Sequence, residues 1–173
     1  MSMPNIKGVK LHKPAVQNSY LGIDPGGSGG IALIDGSDVL LIRMPETDTE
    51  LWQVFQALQE AQEYGTLTCC IEKVHSMPRQ GVTSVFTFGM RYGKLLMGLT
   101  AAQIPYEEVR PQLWQKTLGV PTRNTKGGET KPQFKKRLRD KAQKMYPKSK
   151  IDLYTCDALL IAAYCKRKET GSI

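Results

Sequence analysis

The stretch YLGIDPGGSGGIALID, Tyr20 to Asp35, decides the fold. Tyr20, Leu21 and Ile23 read as a buried strand, and Ile31 to Ile34 read as a second. Between them Pro25, Gly26, Gly27, Gly29 and Gly30 leave room only for a tight turn, which folds the two strands into a hairpin. Asp24 closes the first apolar run. A carboxylate at the end of a central strand is costly to bury without compensation. A metal ion, a phosphate-bearing ligand or the chemistry of its own turn would each supply it.

Working outward, three short strands are expected at about 19–24, 30–35 and 38–43, with DGSD (35–38) as the turn between the second and third. TDTELWQVFQALQEAQEYG reads as a helix capped by Thr47 or Asp48, with Leu51, Val54, Phe55 and Leu58 on one face. TLTCCIE follows as a fourth strand, apolar on both faces and therefore central and parallel. A long helix runs from about Thr83 to Ala102, where Phe86, Met90, Leu95, Leu96 and Leu99 recur at helical spacing. Gly89 and Gly93 weaken its propensity and are expected to let another backbone pack close. YEEVR is a fifth strand, and PQLWQKTLG a short helix with Pro111 at its start. Residues 121–130 are expected to be a mobile polar loop. A basic helix from about Lys131 to Met145 and a final helix, CDALLIAAYCKRK, complete an α/β sheet with an antiparallel hairpin edge.

The 173 residues suit one domain with a real core, expected over 18–173 behind a flexible basic N-terminal arm at 1–17. The net charge is +8 and the pI about 9.4, a balance that favours a polyanionic partner. Much of the excess lies between Lys131 and Lys150. No segment is long and apolar enough to span a membrane, and the N-terminus lacks a secretory core. Cys69, Cys70, Cys156 and Cys165 show no zinc-ligand spacing, so a reducing, intracellular compartment is expected: cytoplasm, nucleoid, phage-infected cell or organelle.

On this scaffold the acids gather. Asp24 ends the first strand and Glu72 the fourth, and a right-handed crossover brings those strands side by side. Asp157 opens the last helix, where the helix dipole favours an anion. Asp152 lies five residues earlier. Converging carboxylates repel one another and raise their own pKa values unless a cation intervenes. Mg²⁺ or Mn²⁺, two ions per site, resolves that conflict and equips a basic protein for phosphodiester hydrolysis on a nucleic acid.

Five segments, GIDPGGSGGIAL, CIEKVHSMPRQG…FGMRYGKLLMGL, VRPQLWQKTLG, TKPQFKKRLRDKAQKMYP and CDALLIAAYC, stand in the order found in RuvC-like Holliday junction resolvases. The chain resembles the phage-type and chloroplast-type members most, over roughly residues 19–167. The resemblance implies a ribonuclease H-like fold: a mixed five-stranded sheet, its first three strands joined by antiparallel hairpins, flanked by helices. It also implies a homodimer that uses Mg²⁺ or Mn²⁺ to nick four-way DNA junctions symmetrically in recombination and repair. Asp24, Glu72 and Asp157 are similar to three of the family's metal-binding carboxylates. The fourth family acid lies three or four residues before the last, where this chain has Tyr154 and Leu153, and Asp152 is the nearest substitute. Lys131 resembles the basic residue that helps to stabilise the scissile phosphate.

For DNA contacts the same reading selects His75, Met77, Arg79 and Gln80 in the loop after Glu72. It adds Arg123, Lys126, Lys131, Lys135, Lys136 and Arg139 as phosphate-neutralising charge. Gly89, Gly93 and Met97 are expected as dimer or core contacts. No feature points to a helicase partner. Three rivals stand beside the resolvase. An actin-like ATPase shares the Gly-rich turn, but its second phosphate loop is missing. The others are a catalytically decayed junction binder and a nuclease of the same fold that cuts RNA–DNA hybrids or flaps.

Overall fold

A computed structural model of the chain describes residues 18–61, 65–74 and 81–172. Five strands form one sheet in the order β3-β2-β1-β4-β5: β1 (Ser19–Asp24), β2 (Gly30–Asp35), β3 (Asp38–Arg43), β4 (Leu67–Glu72) and β5 (Tyr106–Val109). β1 pairs antiparallel with β2, and β2 with β3, whereas β1, β4 and β5 run parallel. The helices are α1 (Asp48–Ala61), α2 (Val82–Ala101), α3 (Pro111–Thr117), α4 (Lys131–Met145) and α5 (Cys156–Glu169). The mixed five-stranded α/β sheet is the arrangement expected from the sequence.

Side-chain alternation divides the core into two layers. Leu21 and Ile23 of β1 and Leu67, Cys69 and Ile71 of β4 face α1 and α2, where they pack with Val54, Phe55, Leu95 and Leu99. Tyr20 and Cys70 face the opposite way, onto α3, α4 and α5. Asp24 and Glu72 share the parity of Tyr20 and Cys70 and therefore point to that second side. The β1–β4 register sets Ile23 against Ile71, so the two acids end adjacent strands at the same level.

α5 is the central helix, with every residue from Ala158 to Cys165 buried. It lies directly on β1 because Gly22 has no side chain. A Cβ there would overlap the Ala158 carbonyl oxygen and the Ala162 nitrogen. Thr47 Oγ1 accepts from Glu50 N at 3.2 Å while Glu50 returns the bond to Thr47 N, so Thr47 starts α1 with a capping box. All four cysteines are free and buried. Among the described residues no helix is long and apolar enough to cross a membrane.

Two expectations change. Among the described residues no backbone packs against Gly89 or Gly93; both are exposed, and a Cβ at either would meet nothing there within 4 Å. Phe86 and Met90 on the same helix are likewise exposed, because the core takes only the Leu95 and Leu99 face. The loop at 121–130 is built rather than loose. Asn124 Oδ1 accepts from Gly127 N at 2.8 Å, and Gly128 adopts φ 77°. Arg137 grips Glu129 with Nε and Nη2, each at 3.0 Å, and donates to the Pro121 and Thr122 carbonyls. The expected arm at 1–17 lies outside the described residues.

Candidate active site

At the C-terminal ends of β1 and β4, Asp24, Glu72 and Asp157 meet beside the first turn of α5. Asp24 owes its place to the turn that follows. Its Oδ1 accepts from Gly26 N at 3.2 Å, and Gly29 folds back so closely that a Cβ would stand 2.7 Å from the Asp24 Cγ. Turn chemistry therefore occupies one oxygen. The other, Oδ2, lies 3.7 Å from the Lys135 ammonium. Lys135 reaches across from α4 and bonds Asp157 Oδ2 at 2.5 Å.

The electrostatics follow from burial. Desolvation pushes the Asp24 carboxyl up, and the nearby Asp157 charge adds to it, while Lys135 and the Gly26 N–H pull the other way. Glu72 is pushed up to about 7, by burial first and then by Asp24. A hydrogen bond from Trp114 Nε1 to Glu72 Oε2, 2.9 Å long, opposes that rise. Burial lowers Lys135, but Asp157 and Asp24 outweigh it and leave its ammonium held more tightly than an ordinary lysine's.

The donor set suits a hard divalent cation: three carboxylates, mutually repulsive and largely removed from water. Among the described residues no three such groups are drawn tightly enough to ligate an ion, and the Lys135 ammonium supplies the compensating charge.

Asp152 is not drawn in. Its Oδ1 accepts from Tyr154 N, Thr155 N and Thr155 Oγ1, and its Oδ2 is forked by Arg43 at 2.7–2.8 Å. Burial pushes its carboxyl up, but the bonds from Thr155 and Arg43 prevail and hold it below the usual range. The charges that act on Asp24 come from Asp157 and Lys135, and those that act on Glu72 from Asp24, Asp157 and Lys135. Asp152 thus fixes the entry to α5, with Arg43 also stacked 4.4 Å over the Tyr154 ring. In this arrangement it occupies a structural corner before α5.

Lys131 and Lys135 sit differently on α4. Lys131 is exposed at the first turn of α4, and Lys135, one turn on, enters the carboxylate cluster instead. Both belong to one helical face, so sequence spacing alone did not separate them. Lys136, Arg123 and Lys126 lie on the same α4 side of the fold, where α4 and the loop before it leave Lys126 exposed and Arg123 half-buried. Arg139 is partly spent on Asp140 at 2.9 Å. His75, Met77, Arg79 and Gln80 lie outside the described residues. Two participants were missed from sequence. Trp114 stood unremarked within the short helix PQLWQKTLG, and Arg43 at the end of the expected third strand.

The mixed five-stranded sheet flanked by helices is of the ribonuclease H-like fold class. No protein-family model and no curated protein matches the chain. Among solved structures the chain is similar to Thermus thermophilus RuvC, with a TM-score of 0.52 and 15% identity over 88% of this chain and 96% of that one. It is also similar to T. thermophilus RuvC in complex with Holliday junction substrate, with a TM-score of 0.50 and 17% identity over 90% and 98% of the two chains. At these identities the likeness shows a shared fold, and it spans nearly the whole of both chains.

Proposed function

We propose that this protein is a metal-dependent endonuclease that nicks four-way DNA junctions as a homodimer. The observation that carries the reading is the meeting of Asp24, Glu72, Asp157 and Lys135 at one sheet end, on the fold of a protein solved with a Holliday junction. In this reading Asp24, Glu72 and Asp157 hold Mg²⁺ or Mn²⁺, with Asp152 left to shape the loop. When bound, two such ions supply an activated water and charge to steady the leaving oxygen of a phosphodiester.

The chain's own residues do the rest. The ammonium of Lys135, anchored by Asp157, stands where it meets the negative charge that develops on the scissile phosphate. Asp24 is pinned by Gly26 N, so one of its oxygens stays aimed into the cluster. Lys131, Lys136 and Lys126, with Arg123 beside them, receive the DNA backbone as sequence-independent contacts, and Arg139 shares its charge with Asp140. His75, Met77, Arg79 and Gln80 are proposed to enter the junction from the loop after β4.

The dimer reading is supported by α2. Val82, Phe86, Met90 and Met97 are 86%, 66%, 48% and 63% exposed, a density of bare apolar groups unusual for a monomer's surface. Gly89 and Gly93 lie among them, with none of the described residues within 4 Å of a Cβ there. A second copy of α2 fits such a face, and a dimer supplies the two sites that paired nicks require. Four buried free thiols suit a reducing intracellular compartment.

The test is cleavage of a synthetic four-way junction with Mg²⁺ or Mn²⁺ against EDTA, beside linear duplex, flap and RNA–DNA hybrid. Paired nicks confined to the junction, and absent from Asp24→Asn, support the reading. Tight binding without nicks would instead favour a decayed binder, a reading that the missing fourth carboxylate keeps in view. Cutting of hybrids or flaps alone would move the protein to another nuclease class.

A further inference from the structure

We infer that Trp114 is a positioning residue for Glu72: its indole N–H fixes the carboxylate so that one oxygen is tied to the protein and the other is left for a divalent cation. The inference rests on the proposed role of Glu72 as a metal ligand. Trp114 is 1% exposed and belongs to the core layer beneath the site. A buried indole N–H must find an acceptor, and a bond to an ionised carboxylate is stronger than one to a neutral carbonyl. Here the acceptor is Glu72 Oε2, at 2.9 Å and 42 residues away. Among the described residues no donor reaches Oε1.

The local structure delivers this bond. β5 ends at Val109, with Val109 O accepting from Lys73 N at 2.7 Å, directly beyond Glu72. Arg110 and Pro111 then start α3 at once, which carries Trp114 under the end of β4. A glutamate has three side-chain torsions to immobilise before it can bind an ion in one geometry. A rigid, buried donor immobilises them in advance, as donors behind metal ligands generally do. The same bond favours the charged carboxylate that an ion requires, against the burial and the neighbouring acids that disfavour it.

The chain has two tryptophans, so its ¹⁵N-indole spectrum holds two side-chain signals, and Trp52→Phe assigns them. The Trp114 signal is expected to move on addition of Mg²⁺ and in Glu72→Gln, whereas the half-exposed Trp52 signal stays. Replacing Trp114 by β-(3-benzothienyl)alanine keeps the ring shape and removes the N–H. In that variant the Mg²⁺ concentration for half-maximal junction cleavage should rise about tenfold, the worth of one hydrogen bond to a charged acceptor, with the saturated rate within about twofold. Trp114→Phe should shift the Mg²⁺ dependence the same way.

A Trp114 signal indifferent to Mg²⁺, or an unchanged Mg²⁺ dependence in the isosteric variant, overturns the positioning role even if the wild type nicks junctions. A wild type that nicks nothing, but whose Trp114 signal responds to Mg²⁺ and loses that response in Glu72→Gln, upholds the role and defeats only the nuclease reading.

Discussion

Lys135 Nζ lies 2.5 Å from Asp157 Oδ2, joining α4 to α5 across 22 residues of sequence. The bond places a positive charge inside the group of acids that the fold brings together. It also distinguishes Lys135 from Lys131, which sits one turn away in solvent. Lys135→Met is expected to slow junction nicking by about 10²–10³-fold, as removal of one transition-state donor does, while Lys131→Met weakens binding only modestly. Single-turnover cleavage beside gel-shift affinity separates the two. Equal losses of rate from both would return Lys131 to the site.

Asp24→Asn and Asp157→Asn should each cut nicking by more than about 100-fold and spare junction binding, because a ligand to the ion is a closer partner than its supporting shell. Asp152→Asn should nick at near the wild-type rate. Its cost appears in stability instead: Asp152→Ala, which loses the bonds to Tyr154, Thr155 and Arg43, should lower unfolding free energy by about 1–2 kcal/mol in urea. Nicking abolished in Asp152→Asn would restore it as a fourth ligand.

Glu72 gives the metal-free protein a pH dependence of definite sign. Its carboxyl titrates near 7 in the folded chain and near 4.5 when unfolded, so the folded state holds the proton more tightly. The resulting stabilisation is complete below about 4.5 and is lost as pH rises through 7, with a ceiling of roughly 3 kcal/mol. In EDTA, the gap in melting temperature between Glu72→Gln and wild type should therefore widen in the variant's favour from pH 5 to pH 8. Parallel curves would show that Glu72 is not held in this buried, repulsive setting.

The α2 face predicts the oligomeric state. Phe86→Asp and Met90→Lys place charges on residues 66% and 48% exposed, so the folded monomer should tolerate them. Light scattering should report a dimer for wild type and a monomer for the double variant, with paired nicks reduced to single ones. A wild-type monomer would sink the proposed assembly.

Gly22→Ala tests the contact that seats α5. The added methyl has no free space against the Ala158 carbonyl and the Ala162 nitrogen, both backbone atoms of a packed helix. A loss of about 3 kcal/mol or more is expected in denaturant melts, at the upper end of overpacking costs.

Much of the fold was legible in the chain because its signals are local. Strand β1 and the Gly-rich turn, the twofold apolar β4, and the capped α1 are each dictated by neighbours a few residues apart. The same locality placed Asp24, Glu72 and Asp157 at element ends, and the α/β order made their convergence a topological consequence. What sequence could not decide were choices between equivalent positions on one face. Lys131 and Lys135 have the same spacing pattern, and only the packing of α4 against α5 sends the second inward. Asp152 read as the nearest substitute for a fourth ligand, and nothing in its neighbourhood of sequence signals that Arg43, from an edge strand 109 residues away, bonds it. Gly89 and Gly93 signalled close helix contact, but only the packed core showed that none of the described residues supplies it. Short-range periodicity and turn chemistry determine the elements; long-range packing determines which of their side chains meet, because a helix face is shared by several residues and the tertiary contact selects one.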